Sequence, residues 1–450
     1  MSRRVAELDL DDNQSVWVAT TPAADPLPAL TRDEVVDLCV IGGGFTGLST
    51  ALHVAERFPD KKIAVLEARR LGNGGSGRNG GQMLNWINGV EVKDAERARR
   101  VFEFTRSGID LICDTIQRHQ LPVPFRRDGA LESYTHADRA EYAAKKTEML
   151  RSWGIPVEYL DTPALKKRLW MEGTVGAVLD PTAGHVHGLA YVNALAGLLR
   201  AKGVAMYEQT PVTSVTEGAT IEVGTPGATI RSKAIVIATN GYTPRLGYFK
   251  TGVFPLHSHV LATEPLSPAR WAEIGVTGPE GPRTAGFTDD LDRIAYGCFT
   301  TDGRMVFGGG SNAAYGYRYG GRTAYGDISE ASWEAIRTRL LHYFPGLASA
   351  KITHRWTGTL GITMSRNCSM GAMGAHKNIL YALGYSGHGV VLANLAGRVL
   401  ADVYAGEGEQ WRDMPFYERP LGGIPPEPFR YVGYQFFTAL TGRSPRKNEA

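Results

Sequence analysis

Val35-Val36-Asp37-Leu38-Cys39-Val40-Ile41-Gly42-Gly43-Gly44-Phe45-Thr46-Gly47 is a mostly apolar run that empties into a G-x-G-x-x-G turn. Leu48, Ala51, Leu52 and Val54 follow among more polar positions, which is a helical pattern. A second apolar run, Ile63-Ala64-Val65-Leu66, ends in Glu67. That acid stands about twenty residues past the last glycine, where a dinucleotide-binding βαβ unit carries its own. Gly42 permits the tight turn, Gly44 lets backbone approach a pyrophosphate, and Gly47 lets the helix lie close on the strand. Phe45 and Thr46 open that helix, whose free N–H groups and positive dipole end suit the pyrophosphate. The Glu67 carboxylate is placed to accept hydrogen bonds from ribose hydroxyls. Strand, turn, helix, second strand and acid together predict a bound dinucleotide rather than a nucleotide-free glycine turn.

Just beyond lies Leu71-Gly72-Asn73-Gly74-Gly75-Ser76-Gly77-Arg78-Asn79-Gly80-Gly81-Gln82, too rich in glycine for helix or strand. A loop pressed against a flat ligand needs such glycines, because side chains would block the approach. A flexible linker is the weaker reading.

The bulk properties narrow the class. A chain of 450 residues exceeds one small core and predicts two domains. With 43% apolar residues and a net charge of +3, it reads as an ordinary globular protein, with neither nucleic acid nor an anionic membrane indicated as partner. Met1 to Asp12 lacks the apolar core of a signal peptide, and no run of about eighteen apolar residues suggests a membrane span. Cys39, Cys113, Cys298 and Cys368 are scattered without a C-x-x-C, which suits a reducing cytoplasm and argues against a disulfide framework or zinc site.

Along the chain, residues 1 to 34 read as an N-terminal arm kept extended by Pro22, Pro26 and Pro28. Helical spacing covers about 94 to 120 and again Val192 to Lys202. Ala234-Ile235-Val236-Ile237-Ala238-Thr239-Asn240-Gly241 is a buried strand ending in a glycine turn, and residues 246 to 355 look like a mainly antiparallel sheet with loops. Asn378 to Leu383 is another apolar strand. It runs into Gly384-Tyr385-Ser386-Gly387-His388-Gly389 and the helix Val390 to Tyr404, a second strand–glycine turn–helix that aims a helix N-terminus at a polar ligand edge.

Taken together, these stretches resemble the D-amino-acid-oxidase-like superfamily of FAD enzymes, above all its gamma-glutamylputrescine oxidase-like amine oxidases. Gly42 to Gly47 with Glu67, Ser76 to Gln82, and Gly384 to Gly389 carry the likeness, and Ile362-Thr363-Met364-Ser365-Arg366-Asn367 supports it. The resemblance implies that Gly42, Gly44, Phe45, Thr46, Gly47, Glu67 and Ala68 hold the ADP half of FAD. It implies that Ser76, Gly77, Arg78, Asn79, Gly80, Gly81 and Gln82 wrap the ribityl chain and isoalloxazine. Val212 would serve the adenine side, and Ala238, Thr239 and Gly241 would close the nucleotide pocket. Gly387, His388, Gly389 and Val390 would bring a helix N-terminus to the pyrimidine edge, where reduced flavin carries negative charge. Sarcosine oxidases of this superfamily attach flavin through a cysteine and use a lysine in a substrate-domain strand for oxygen. Here Cys368 stands beyond the attachment position, so FAD is expected to be non-covalent, and Arg304-Met305-Val306-Phe307-Gly308-Gly309 has no lysine.

The remaining residues divide less sharply. His185 and His187 form an H-x-H pair without a third ligand, so a loop before a helix outranks a metal site. His257 and His259 share a strand face, where a satisfied structural histidine outranks one facing the flavin, and His259 is a pocket candidate beside Trp86, Tyr315, Tyr317 and Trp356. His53 reads as a packed or surface histidine. The run Tyr315 to Gly321 is either a loop packed on the sheet or an aromatic wall for a cationic amine. Arg304, Arg318 and Arg366 are available as carboxylate clamps. The aromatic stretch Phe429 to Leu440, followed by Arg443, Arg446 and Lys447, predicts a helix docked on its own domain, with a membrane surface as the weaker reading.

The fold class expected is α/β (α+β overall): a Rossmann-like FAD-binding domain built from 35–90, 180–245 and 356–410. An inserted antiparallel-sheet substrate domain takes 91–179 and 246–355, and a C-terminal tail takes 411–450. The function the resemblance implies is oxidation of a small amine by hydride transfer from its alpha carbon to flavin N5. The imine hydrolyses to an aldehyde or keto product, and O2 becomes H2O2. An amino-acid oxidase or dehydrogenase of the same superfamily, or a flavoprotein with structural FAD, are the alternatives. Mixing with an amine panel separates them.

Overall fold

The computed structural model describes residues 2–5, 14–274, 286–324, 326 and 328–441. The basic tail Arg443, Arg446 and Lys447 lies outside them. Two nine-stranded sheets, each with its own core, organise the chain.

The first sheet is built on parallel strands that read as continuous apolar runs because both faces are covered. Glu34–Ile41 lies between Ile63–Leu66 and Thr229–Ile237, and Ile379–Leu383 and Ala205–Tyr207 extend the parallel set. Register settles where the site must be. Ile41 pairs with Leu66 and with Ile237, and Ile237 pairs with Tyr381, so four strands end at one level. The segments after them, 42–47, 67–82, 238–241 and 384–389, therefore open at the same edge of the sheet. In open α/β sheets that carboxyl edge is where ligands bind.

The helix Phe45–Arg57 packs along Gly389–Tyr404, and Ser49 Oγ donates to the Asn394 carbonyl at 2.8 Å. Gly397 makes the crossing possible, since a Cβ there would overlap Ser49. Ala95–Arg118 also joins this core: Val101, Phe104, Ile109 and Ile112 are buried with Leu48, Val391 and Leu395, and Gly108 lies against Leu395. The domain limits expected from sequence shift accordingly. Residues 95–118 pack with the nucleotide half through Val101, Phe104, Ile109 and Ile112, while Ala98 and Phe102 join Leu150, Ile155 and Val157 of the other half.

The second sheet runs in the order Tyr315–Gly316, Phe254–Thr263, Met305–Gly309, Ala295–Phe299, Gly286–Asp289, Ala130–Tyr134, Gly176–Asp180, Glu158–Asp161. It is antiparallel except where Gly286–Asp289 pairs with Ala130–Tyr134. Ile352–Ile362 pairs along Phe254–Thr263, so the limit expected at 356 falls inside a strand of this sheet, and the chain changes sheets only after Ile362. The helix Glu330–Tyr343 covers one face through Trp333, Ile336 and Leu340.

The N-terminal arm is partly helical (Val16–Ala19) rather than wholly extended. The last helix, Phe429–Thr441, docks through Tyr431 and Tyr434 on Tyr317 but leaves a row of large apolar side chains in solvent.

Candidate FAD site

The four loops at the carboxyl edge enclose one cavity. Of the residues expected to hold a cofactor, Gly42, Gly44, Phe45, Thr46, Glu67, Ala68, Ser76, Asn79, Val212, Ala238, Thr239, Gly387, Gly389 and Val390 line it. Gly42 adopts φ +114°, and a Cβ there would meet the Ala238 carbonyl oxygen at 2.7 Å. At Gly44 a Cβ would meet Ser76 Oγ at 2.8 Å. That same Oγ accepts the Phe45 N–H at 2.9 Å, so the glycine-rich loop caps the helix of the first motif.

Two helices start at this cavity. Phe45–Arg57 and Gly389–Tyr404 each lack a cap from their own N-cap side chain, and Gly44, Phe45, Gly389 and Val390 all face the cavity. Orphan N–H groups and two positive dipole ends therefore converge on one space, which suits a ligand with a pyrophosphate and a second anionic edge. The Tyr385 and Thr46 hydroxyls, 2.7 Å apart, tie the two helix starts together.

Glu67 borders the cavity beside the first glycine turn. Its Oε2 accepts the Gly43 N–H at 2.9 Å and its Oε1 accepts the Arg69 N–H at 3.0 Å. Burial pushes this carboxyl upward from its ordinary pKa, and the backbone donors of Arg69 and Gly43 pull the other way. The side chain is only half-buried, because it borders the cavity.

The other expected cofactor residues stand behind the cavity wall. A Cβ on Gly47 would overlap the Gly42 carbonyl, so its bareness serves the turn. Carbonyls 77, 78 and 79 are each taken by a distant side chain: Ser15 Oγ donates to Gly77 at 2.6 Å, Trp356 Nε1 to Arg78 at 2.9 Å, and Trp17 Nε1 to Asn79 at 2.7 Å. The Arg78 guanidinium is buried and donates to the Asn73 and Thr357 carbonyls. Gly80 lies against the Tyr296 ring, Gly81 against His185, and Gln82 donates to the Gly297 carbonyl at 2.7 Å. Gly241 abuts Leu360. His388 accepts from the Asn88 amide through Nδ1 at 2.7 Å, and burial lowers its pKa to about 4, so its ring is neutral.

None of the five expected pocket residues lines this cavity. Trp86, at φ +71°, packs on Phe102 with ring centroids 5.5 Å apart. Trp356 is buried and committed to the Arg78 carbonyl. His259 is buried, pairs with Thr357 Oγ1 at 2.8 Å, and has its pKa lowered to about 3 by burial. Tyr315 donates to the Ile294 carbonyl at 2.8 Å, and Tyr317 donates to Glu427. His257 pairs with the Arg322 carbonyl and Thr359. His187 caps the helix Gly188–Ala201 through Nδ1, and His185 is buried beside it. His53 has its pKa lowered by burial. Arg366 is exposed at φ +60°, and Arg304 is held by Asp302.

Several lining residues carried no sequence signal of their own: Thr210, Tyr242, Leu246, and Thr359 to Gly361. Thr359 to Gly361 reach the cavity from the far end of the long strand Ile352–Ile362, which belongs to the second sheet. Asn73, Gly74, Gly75 and Tyr385 lay within the quoted motifs.

A family model described as FAD dependent oxidoreductase, DAO, matches residues 37–403. Gamma-glutamylputrescine oxidoreductase of Escherichia coli is 30% identical over 95% of this chain and 98% of its own length. The probable oxidoreductase OrdL of Haemophilus influenzae is 31% identical over 85% of this chain and 86% of its own. Among solved structures, glycine oxidase from Geobacillus kaustophilus superposes with a TM-score of 0.72 at 19% identity, covering 87% of this chain and all of that one. L-proline dehydrogenase from P. horikoshii gives 0.67 at 21% identity, covering 83% and 94%. Both share the fold.

Proposed function

The chain belongs to the family of FAD-dependent oxidoreductases, and we propose that within it this enzyme oxidises a small amine, an omega-amino compound of the gamma-glutamylputrescine kind, with O2 as acceptor. The observation that carries the cofactor half is the convergence of two helix starts and a glycine-rich loop on one cavity. The amine half rests on likeness to the E. coli relative across nearly the full length of both chains.

FAD, when bound, supplies an acceptor for the electrons that leave the amine's alpha carbon. The residues divide the work of holding it. Gly42, Gly44, Phe45 and Thr46 would present backbone to the pyrophosphate, and Glu67 would accept from the ribose. Val212, Ala238 and Thr239 would wall the adenine side. Ser76 and Asn79 would meet the ribityl chain, and Gly387, Gly389 and Val390 would set N–H groups against negative charge at the pyrimidine edge. Retention is non-covalent: Cys368 is buried away from the cavity, and burial pushes its thiol up to about 12. All four cysteines are free and buried, which supports a cytoplasmic setting. Among the described residues, no helix is long and apolar enough to cross a membrane.

Chemically, the amine loses two electrons and two protons to become an imine. Water then releases an aldehyde or keto product and ammonia or a smaller amine, while O2 takes up the electrons and protons as H2O2. The strand Met305–Gly309 carries no lysine, which favours a second reading, a dehydrogenase that passes its electrons elsewhere. Anaerobic mixing of the purified protein with gamma-glutamylputrescine, other omega-amino compounds, sarcosine and D-amino acids tests both. Bleaching by an amine that air reverses rapidly with peroxide release supports the oxidase. Slow reversal in air selects the dehydrogenase. Bleaching only by compounds with a free alpha carboxylate replaces the amine reading with an amino-acid oxidase, and no bleaching by any compound leaves FAD a structural role.

A further inference from the structure

The helix Phe429–Thr441 has two unlike faces. Tyr431, Tyr434 and Thr438, spaced three and four apart, form the docked one. Tyr431 and Tyr434 pack on Tyr317 at 6.5 and 5.7 Å, Tyr431 meets Tyr319 at 5.8 Å, and the Thr438 carbonyl accepts from Asn312. Arg430 pins the helix start to the Pro425 and Lys250 carbonyls. On the opposite face Phe429, Val432, Phe436 and Leu440 form a stripe, with Phe437 at its side over Arg293. These five are 68%, 61%, 65%, 55% and 52% exposed in that order. Exposure of this kind on one helix, opposite a face already satisfied, is not incidental packing.

We propose that this helix is an interfacial anchor that lays its apolar stripe into the surface of an anionic lipid bilayer. Size and charge select that occupant. A whole aromatic side chain offers about 150–250 Å², so the exposed fractions leave roughly 500 Å². That is below the approximately 800 Å² per partner of a stable protein–protein interface. A single amphipathic helix needs no such area, since its apolar face sinks about 5–10 Å into the headgroup region. The stripe is rich in Phe, a composition suited to the apolar face of an interfacial helix. From Phe429 to Ala450 the sequence carries the cations Arg430, Arg443, Arg446 and Lys447 against one acid, Glu449. Such a local excess of positive charge adds attraction to anionic headgroups although the whole chain is only +3. The binding is peripheral, because thirteen residues are too few to span a bilayer.

Co-sedimentation of the FAD-loaded protein with two kinds of vesicle tests this. One is phosphatidylcholine alone, and the other is an equal mixture of phosphatidylcholine and phosphatidylglycerol. The protein should pellet with the mixed vesicles, less at high salt, and weakly with phosphatidylcholine. The double variant Val432→Ser, Phe436→Ser changes only outward side chains. It should keep the flavin spectrum and melting temperature of the parent while its vesicle partition falls by about tenfold or more. A parent that stays in the supernatant with both vesicles overturns the proposal, as does a variant that pellets equally. A concentration-dependent dimer abolished by the same substitutions, without vesicle binding, assigns the stripe to a second copy instead.

Discussion

Replacing Glu67 by glutamine separates two jobs that one carboxylate does. Its oxygens accept the backbone N–H groups of Gly43 and Arg69 at 2.9 and 3.0 Å, which holds the glycine turn against the end of the second strand. A glutamine keeps one acceptor oxygen and sets an amide donor where the other stood. One charge-assisted bond is lost and the other becomes neutral. Hydrogen bonds to charged groups contribute about 1.5–3 kcal/mol and neutral ones about 0.5–1.5. Water reaches the half-buried side chain and offsets part of the loss, so the apoprotein should lose about 1–2 kcal/mol. The second job appears only with FAD. Losing charged acceptance from the ribose removes a further 1.5–3 kcal/mol, roughly a 10- to 140-fold rise in Kd. Titrating apoprotein with FAD by fluorescence quenching gives the affinity, and thermal unfolding of the same apoprotein gives the stability. A fall in stability with an unchanged Kd would refute the placement of the ribose, and the carboxylate would then serve the turn alone. No change in either would refute the geometry itself.

Four further outcomes follow from the same contacts. Gly44→Val should abolish FAD binding, because its side chain reaches Ser76 Oγ and fills the approach to the pyrophosphate; equal flavin content in the variant refutes it. Trp17→Phe leaves the Asn79 carbonyl without its indole donor and should cost about 1–3 kcal/mol, read as a lower melting temperature and faster FAD loss on dialysis. Heat or acid precipitation should release all flavin to the supernatant, since no cysteine borders the cavity; colour retained on the pellet contradicts non-covalent FAD. Stability should fall as pH drops from about 6.5 toward 4. Burial lowers His185 and His259 to about 3 and His187 to about 4, so in this window the unfolded chain binds more protons than the folded one. Each contributes up to about 1.4 kcal/mol per pH unit, and His185→Leu should flatten the slope of unfolding free energy against pH by one proton.

The nucleotide half was legible because its signals are local. Gly42, Gly44 and Gly47 are bare for reasons found within one turn of chain, and the apolar runs 35–41, 63–66, 234–237 and 379–383 are parallel strands whose continuous hydrophobicity reports cover on both faces. Their common end level, which makes the site, comes from pairing register between segments hundreds of residues apart. Periodicity within one segment carries no trace of that register. The same limit misplaced residues 95–118. Their helical pattern was plain, but the partner of their apolar face was not; Val101, Phe104, Ile109 and Ile112, with Gly108 against Leu395, show which core they complete.

The aromatic candidates stand apart from this cavity for a different physical reason. Position near a flavin motif predicts proximity to the loop, and Trp356 is indeed within hydrogen-bond reach of it. What position cannot say is whether the ring faces the ligand or supports the loop from behind. An indole N–H is a donor that must be satisfied when buried, and a glycine-rich loop exposes carbonyls that must be satisfied too. Trp17 and Trp356 meet that need from opposite ends of the chain, on carbonyls 79 and 78. The glycines that let the loop approach a flat ligand thus leave it without side chains to brace it, and the bracing is delegated to tryptophans that never touch the cavity. Substrate contacts should therefore be sought among residues whose polar atoms are not already committed to the loop.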